Sequence, residues 1–402
     1  MYVLLCLTLL ALTAFQMVMV FTNPTSGWDF RSYESFVQAF DHAKNPYILE
    51  NVIPYQLPGE NLFFDYPPHT LYFFWLMDLF SLFHNIFIYY VILFVLLVLS
   101  AYLIVQLDNK PHYLFLTTLL LAGFISAFWN FLTGNFAFLF LLLFAITFTL
   151  WVKGKYWQSS IVMGLSAAVS LFTAPFVVLY LFVKRPIMDR LALMILSIGV
   201  VASLFVLDYF VNPSLLISYI GMMRNSSGPF YENGGWNAPT PYLMFKDLLN
   251  HIFPGNIIPV VIVSCIYIGT ILYATGKYYR KNNGDALKIL SLVMLSIFMV
   301  LPRIKPYVFI ILVVPLYLLF KDCSYRIKSL VLVVITLPLF VWYSPLLGIN
   351  NNNLPFLFGA YAQTYGLILI FLVVILHAHL TPTSNEEKKG EKNPGGRRRT
   401  RE

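Results

Sequence analysis

The chain has 402 residues, 59% hydrophobic and only 11% charged, with a formal net charge of +8. A soluble domain carries about 25% charged residues, and no water-surrounded core of this length could hide so much apolar surface. A bilayer can, so the chain reads as an integral membrane protein. The positive charge does not mark a nucleic-acid binder, because the basic residues lie in short loops and one tail and form no stripe.

Residues 2–21 are the first apolar run. They carry no charged leader, and Val18–Val20 with Thr22-Asn23-Pro24 make a poor cleavage site, which predicts an uncleaved helix. A loop of about residues 22–85 follows. In it Phe30, Tyr33, Val37 and Phe40 recur at helical spacing, predicting a short amphipathic helix pressed on the membrane surface. Asp29 immediately precedes that helix and is expected to cap it. The same carboxylate, just beyond the first span, is also placed to take a proton from an acceptor hydroxyl.

The stretch Pro67–Phe83 is apolar enough to span. Thr70, Asp78, Ser81 and Asn85 nevertheless fall within about 80° of one another on a helical wheel, predicting a helix that lies in the interface. Further apolar runs lie near 86–107, 113–131, 134–151, 190–210, 255–275, 288–301, 306–320, 327–343 and 363–380. Segment 157–183 carries Thr173-Ala174-Pro175 near its middle and is expected to be a broken helical hairpin that leaves and returns on one side.

With 67–83 off the list of crossings, 20 of the 26 Lys and Arg residues share one side. The positive-inside rule makes that side cytoplasmic, with both termini on it. The loops near 22–85, 211–254 and 344–362 then face outward. Residues 1–380 form one transmembrane domain, and 381–402 a disordered basic cytoplasmic tail drawn to anionic lipid. Cys6, Cys265 and Cys323 are scattered, so no disulfide framework is expected.

Phosphate-loop, dinucleotide, zinc-protease and Asp-x-Asp motifs are absent, and His377 and His379 read as interfacial residues. No ligand cluster demands a metal, so no cofactor is expected, and a divalent cation could assist but is not indicated. The turn Leu301-Pro302-Arg303-Ile304-Lys305-Pro306-Tyr307 sets two cations between prolines at an outer membrane edge. They either snorkel to head groups or clamp a phosphate, Arg303 as a bidentate donor and Lys305 as a point charge. In the 211–254 loop, Trp236 either stacks on a sugar or joins the aromatic belt, and Asn233 and Asn237 could bond hydroxyls.

The first loop contains Asp29-Phe30 with Arg31 and Tyr33, then Asn45-Pro46-Tyr47, then Phe64-Asp65-Tyr66-Pro67-Pro68-His69. This series resembles glycosyltransferase family 87, polytopic mannosyltransferases of the GT-C fold. Gly134-Asn135 is similar to that family's Gly-Gln step, and Pro302–Tyr307 to a late outer motif. The chain departs from the family in having Asn for Gln at 135, and Phe172-Thr173-Ala174-Pro175 where the family often has Lys before the proline.

The resemblance implies a GT-C-like bundle of about 10–12 transmembrane helices with interfacial helices in the first outer loop. It implies a polyprenyl-phosphate-linked sugar donor, usually mannose, a glycan or glycolipid acceptor, and inversion. The roles that go with it are Asp29 as base, Arg303 and Lys305 on the donor phosphate, and Arg31, Tyr33, Tyr66, His69, Asn135, Asn233, Trp236 and Asn237 on substrate. Two other classes compete: a transporter or lipid-linked sugar flippase, which would put ionisable groups at the bilayer midplane, and a non-catalytic assembly subunit.

Overall fold

The computed structural model describes residues 1–22, 26–57, 66–79, 85–226, 238–281, 286–343 and 358–380. The regular structure among them is helical, with no strand. That is what hydrocarbon demands, since a helix pairs its own backbone polar groups.

From the N-terminus, α1 is Tyr2–Thr22, α2 Trp28–Asp41 and α3 the short turn Leu49–Val52. Pro68–Leu79 forms α4 and Ile86–Val105 forms α5. The third span is α6, Tyr113–Ala122, joined to α7, Ser126–Thr133, through a break at Gly123–Ile125. Then come α8 (Ala137–Val152), α9 (Tyr156–Val169), a 3-10 segment Leu171–Phe182, and α10 (Ile187–Val211). The second outer region holds α11 (Pro213–Ser226) and α12 (Pro241–Ile252). The remainder is α13 (Ile258–Lys281), α14 (Ala286–Val300), a 3-10 turn Pro306–Leu312 leading into α15 (Val313–Phe320), α16 (Tyr325–Ile335), α17 (Leu337–Tyr343) and α18 (Phe358–Leu380).

Every apolar run read from the sequence becomes a helix, but fewer qualify as full spans than the expected 10–12. Among the described residues six are long and apolar enough, or seven if α16 and α17, bent by 47°, count as one. The segments 137–152, 171–182, 286–300 and 306–320 are shorter. Burial ranks the spans: 78% of the Tyr113–Thr133 window is buried against 17% of Ile187–Val211. The α6–α7 pair is therefore the inner post of the bundle, and α10 faces lipid.

The hairpin breaks as expected, although at Ser170, whose extended backbone ends α9 five residues before Pro175. Ser160 and Ser197 hydrogen-bond at 2.9 Å between α9 and α10. A helix end leaves its last carbonyls without partners, and α4 supplies them. His69 donates from Nε2 to the Ala168 carbonyl at 2.8 Å, and the Thr70 hydroxyl reaches the Val169 carbonyl at 3.4 Å. The other ring nitrogen lies 2.7 Å from Asp208 Oδ2 on α10. Both ring nitrogens therefore have an oxygen partner, and the imidazole ties α4 to α9 and α10 at once.

Two expectations for the first loop change accordingly. Thr70 is buried and Asp78 half-buried, so these two members of the expected stripe do not stand free in water, while Phe73, Leu76 and Leu79 form the exposed side of α4. At 12 residues, about 18 Å long, α4 is too short to cross a core of about 30 Å. On α2, Phe30, Tyr33 and Val37 are buried in the protein core, so the apolar face of that helix packs on the bundle.

Candidate functional site

A polar cluster forms where α1 ends, α2 begins and α7 gives way to α8. Two glycines in the left-handed region make that junction possible. Gly27 (φ +83°) precedes α2, and its N–H bonds the Leu132 carbonyl at 2.7 Å. Gly134 (φ +70°) ends α7; a Cβ there would lie 2.8 Å from the Phe30 Cβ and 3.4 Å from the Gly27 Cα. Only residues without side chains let these two corners touch.

The close approach brings Asn135 under the first turn of α2. Its Nδ2 donates to Asp29 Oδ2 at 2.8 Å and to the Tyr33 hydroxyl at 3.2 Å. The Tyr33 and Tyr66 hydroxyls are 3.3 Å apart. Tyr33 is stacked on Phe74 at 4.5 Å, so its ring is held on a second side. Burial, then Tyr66 and Asp29, push the Tyr33 phenol well above its ordinary value, so it stays protonated and able to donate. Asp29 itself is half-buried. The expected N-cap role does not hold: the capping position is Gly27, with no side-chain bond, and Asp29 lies inside the first helical turn. A carboxylate is favoured there by the positive end of the helix.

The neighbouring motif supports the same cluster from outside. Asn45 Oδ1 accepts the Tyr47 N–H at 3.0 Å, which turns the chain through Pro46. Tyr47 then donates from its hydroxyl to the Tyr66 carbonyl at 2.9 Å. Asn45 Nδ2 reaches Ser218 on α11 at 2.8 Å, tying the first outer loop to the second.

Four expected site residues, Asp29, Tyr33, Tyr66 and Asn135, thus meet in one hydrogen-bonded chain. Arg31 stands beside them, half-buried, with a guanidinium nitrogen on the Ser26 carbonyl at 2.7 Å. His69 is turned into the fold, where both ring nitrogens are engaged. Arg303 and Lys305, both half-buried, lie in a turn fastened at both ends. Thr240 bonds the Pro302 carbonyl at 3.0 Å, while Ser126 and Asn130 of α7 bond the Pro306 and Tyr307 carbonyls at 3.1 and 3.0 Å. Tyr307 is near enough to act on the Tyr33 phenol. The helix that carries Asn135 at its end therefore also anchors the Arg303 turn. Asn233, Trp236 and Asn237 lie outside the described residues.

Sequence reasoning gave no role at the site to Gly27, Asn130 or Asp208. The glycines that punctuate helix starts and ends were the one available signal for the junction. Nothing local announces that Asp208 pairs with a residue 139 positions away. Among the described residues, no three His, Cys, Asp or Glu side chains converge as a metal site.

A model of glycosyltransferase family 87 matches residues 63–302, more than half of the chain. The match covers Tyr66, His69 and Asn135; Asp29 precedes it and Arg303 and Lys305 follow it. No curated protein matches the chain.

Proposed function

The chain belongs to glycosyltransferase family 87, and from that premise we propose that it moves a sugar from a polyprenyl-phosphate donor to a glycan or glycolipid acceptor. The reaction is placed on the extracytoplasmic face of a GT-C-like bundle, mannose is the sugar, and the anomeric carbon is inverted. The observation that carries this reading is the half-buried Asp29 carboxylate, held by Asn135 at the end of two spans. The 20-to-6 division of basic residues supports the choice of face.

In the proposed step Asp29 takes the proton of the acceptor hydroxyl as its oxygen attacks the anomeric carbon. The bond from that carbon to the phosphate oxygen breaks, and the polyprenyl phosphate leaves with one more negative charge. Arg303 and Lys305 would meet that charge, so their contact strengthens along the reaction. Arg31, Tyr66, Asn233, Trp236 and Asn237 are the remaining candidates for holding sugar and acceptor. Family membership favours this reading over a transporter, and Asp208 lies three residues from the end of α10, away from a span's midpoint.

The test is turnover by purified protein in lipid nanodiscs given defined polyprenyl-phosphate sugars and a membrane glycolipid extract as acceptor. Transfer from the mannosyl lipid is expected, and none from a nucleotide sugar. Efficient use of the nucleotide sugar alone would overturn the donor assignment.

A further inference from the structure

Resting on the reading of Asp29 as the base, we propose that Asn135 is a positioning residue that holds Asp29 ionised and in place, and that it does not touch sugar. Its side chain is 1% exposed, which leaves no face for a substrate. An amide has two N–H donors, and here one goes to the carboxylate and one to the Tyr33 phenol. The amide oxygen is buried with no hydrogen-bond partner among the described residues. Burying an unpaired oxygen is unfavourable, so a side chain serving packing alone would do better as leucine, which has nearly the same shape. What asparagine adds is its pair of donors.

The support behind Asn135 is rigid. Its backbone N–H bonds the Asn130 carbonyl at 2.9 Å, closing the left-handed turn at Gly134. Tyr33, which shares the amide, is clamped by Phe74 and Tyr66. A donor fixed in this way selects one rotamer of Asp29. A hydrogen bond to the charged form of an acid also favours that form, so the base is kept deprotonated before the acceptor arrives. Among the described residues, Tyr33 of α2 and Tyr89 of α5 are titratable groups close enough to interact with the carboxylate, and Tyr66 and Tyr307 act in turn on Tyr33.

The proposal is tested on full-length protein in nanodiscs by following the carboxyl infrared band of Asp29 through a pH titration, the band being assigned by its loss in Asp29→Asn. Asn135→Leu should move the midpoint up by about one to two pH units, the equivalent of one hydrogen bond to a charged group. The acidic limb of the turnover profile with polyprenyl-phosphate mannose should move up by the same amount, with the donor KM little changed. Asn135→Gln, which keeps the donors, should recover part of the shift. Asn135→Ser, too short to reach Asp29, should reproduce the leucine result and stands in if that variant does not fold.

A merely structural role would lower stability and leave the midpoint where it was, and that result overturns the proposal. If Asp29→Asn turns over normally, the base assignment falls and takes the proposal with it. If Asp29→Asn is inactive but the band stays put in the Asn135 variants, only the Asn135 proposal falls.

Discussion

The α6–α7 pair runs between two carboxylates, and they are held in different ways. At the start of α6, Asp108 is saturated: the Lys321 ammonium lies 3.0 Å from one oxygen, which also accepts the Lys110 N–H at 3.1 Å. The Tyr317 hydroxyl donates to the other at 3.0 Å while accepting the His112 N–H at 3.0 Å. These partners come from two connecting turns and from α15, and the Asp108 side chain is 8% exposed. Beyond α7, Asp29 sits in the first turn of a helix, half-buried, and meets the amide of a residue 106 positions away. The first arrangement staples the ends of helices to one another. The second presents an acid at an edge that also carries Arg31, Arg303 and Lys305.

The sharpest way to break that contrast is to remove charge at Asp29. Asn keeps the size and can still accept from Asn135, and losing the charge at a helix start costs only about 0.3–1 kcal/mol. Asp29→Asn should therefore fold with nearly unchanged thermal stability while turnover drops by about 10²–10⁴-fold. Initial rates and unfolding midpoints on one preparation decide it. A stability loss with normal rates would make Asp29 a second staple.

The next effect concerns what holds the first loop to the bundle. His69→Leu leaves Asp208 buried alone, and breaking a buried pair costs about 3–5 kcal/mol. Hydrogen exchange should speed up across 68–79 and in the last turn of α9, because Ala168 loses its donor as well. The double variant His69→Leu/Asp208→Leu should recover much of the loss. A single variant as stable as wild type would mean that the pin does not carry the loop.

These cases show what the sequence displays and what it hides. Apolar runs give the helices because length and composition alone set burial in a bilayer, and Thr173-Ala174-Pro175 announces a break to within a few residues. Pattern fails where polar side chains bond across the fold. Thr70 matches a water-facing stripe by spacing, yet its hydroxyl is used up on a carbonyl exposed by the hairpin break. Asp29 reads as a cap because it precedes an apolar period, whereas Gly27 takes that position by its backbone geometry. Asn135 was legible as a position of interest, but its partner could be found only once two glycines had brought distant turns together.

A smaller effect is expected at the Arg303 turn. A charge-assisted hydrogen bond to phosphate contributes about 1.5–3 kcal/mol, so Arg303→Ala should cost roughly 10–100-fold in kcat/KM. Arg303→Lys should recover only part, since the planar fork is lost. Donor-concentration curves for both variants, with Lys305→Ala alongside, make the measurement. Full activity in Arg303→Lys would mark the pair as head-group anchors and leave Asp29 as the main chemical feature of its end.

The smallest effect belongs to the stapled end, and its sign can be worked out. Burial opposes the charge of Asp108, but bonds from the Lys110 N–H, Lys321 and Tyr317 together outweigh it and hold the carboxyl below its ordinary 3.8. An acid that is stronger in the folded state binds fewer protons there than in the unfolded chain at the same pH. Its contribution is therefore complete above the unfolded value, near 3.8, and is lost as pH falls through the lower folded value. Asp108→Asn removes the charge but keeps an oxygen for Tyr317, so near neutral pH it should cost on the order of 1 kcal/mol. The gap between wild-type and variant unfolding midpoints should be constant from neutral pH to about pH 4 and should close below that. Turnover in Asp108→Asn should match wild type, because no part of the proposed reaction passes that end of the helices. A gap that does not vary with pH would show that the loss comes from packing and not from the charge. A fall in turnover without a fall in stability would mean that the two ends of the α6–α7 pair are coupled.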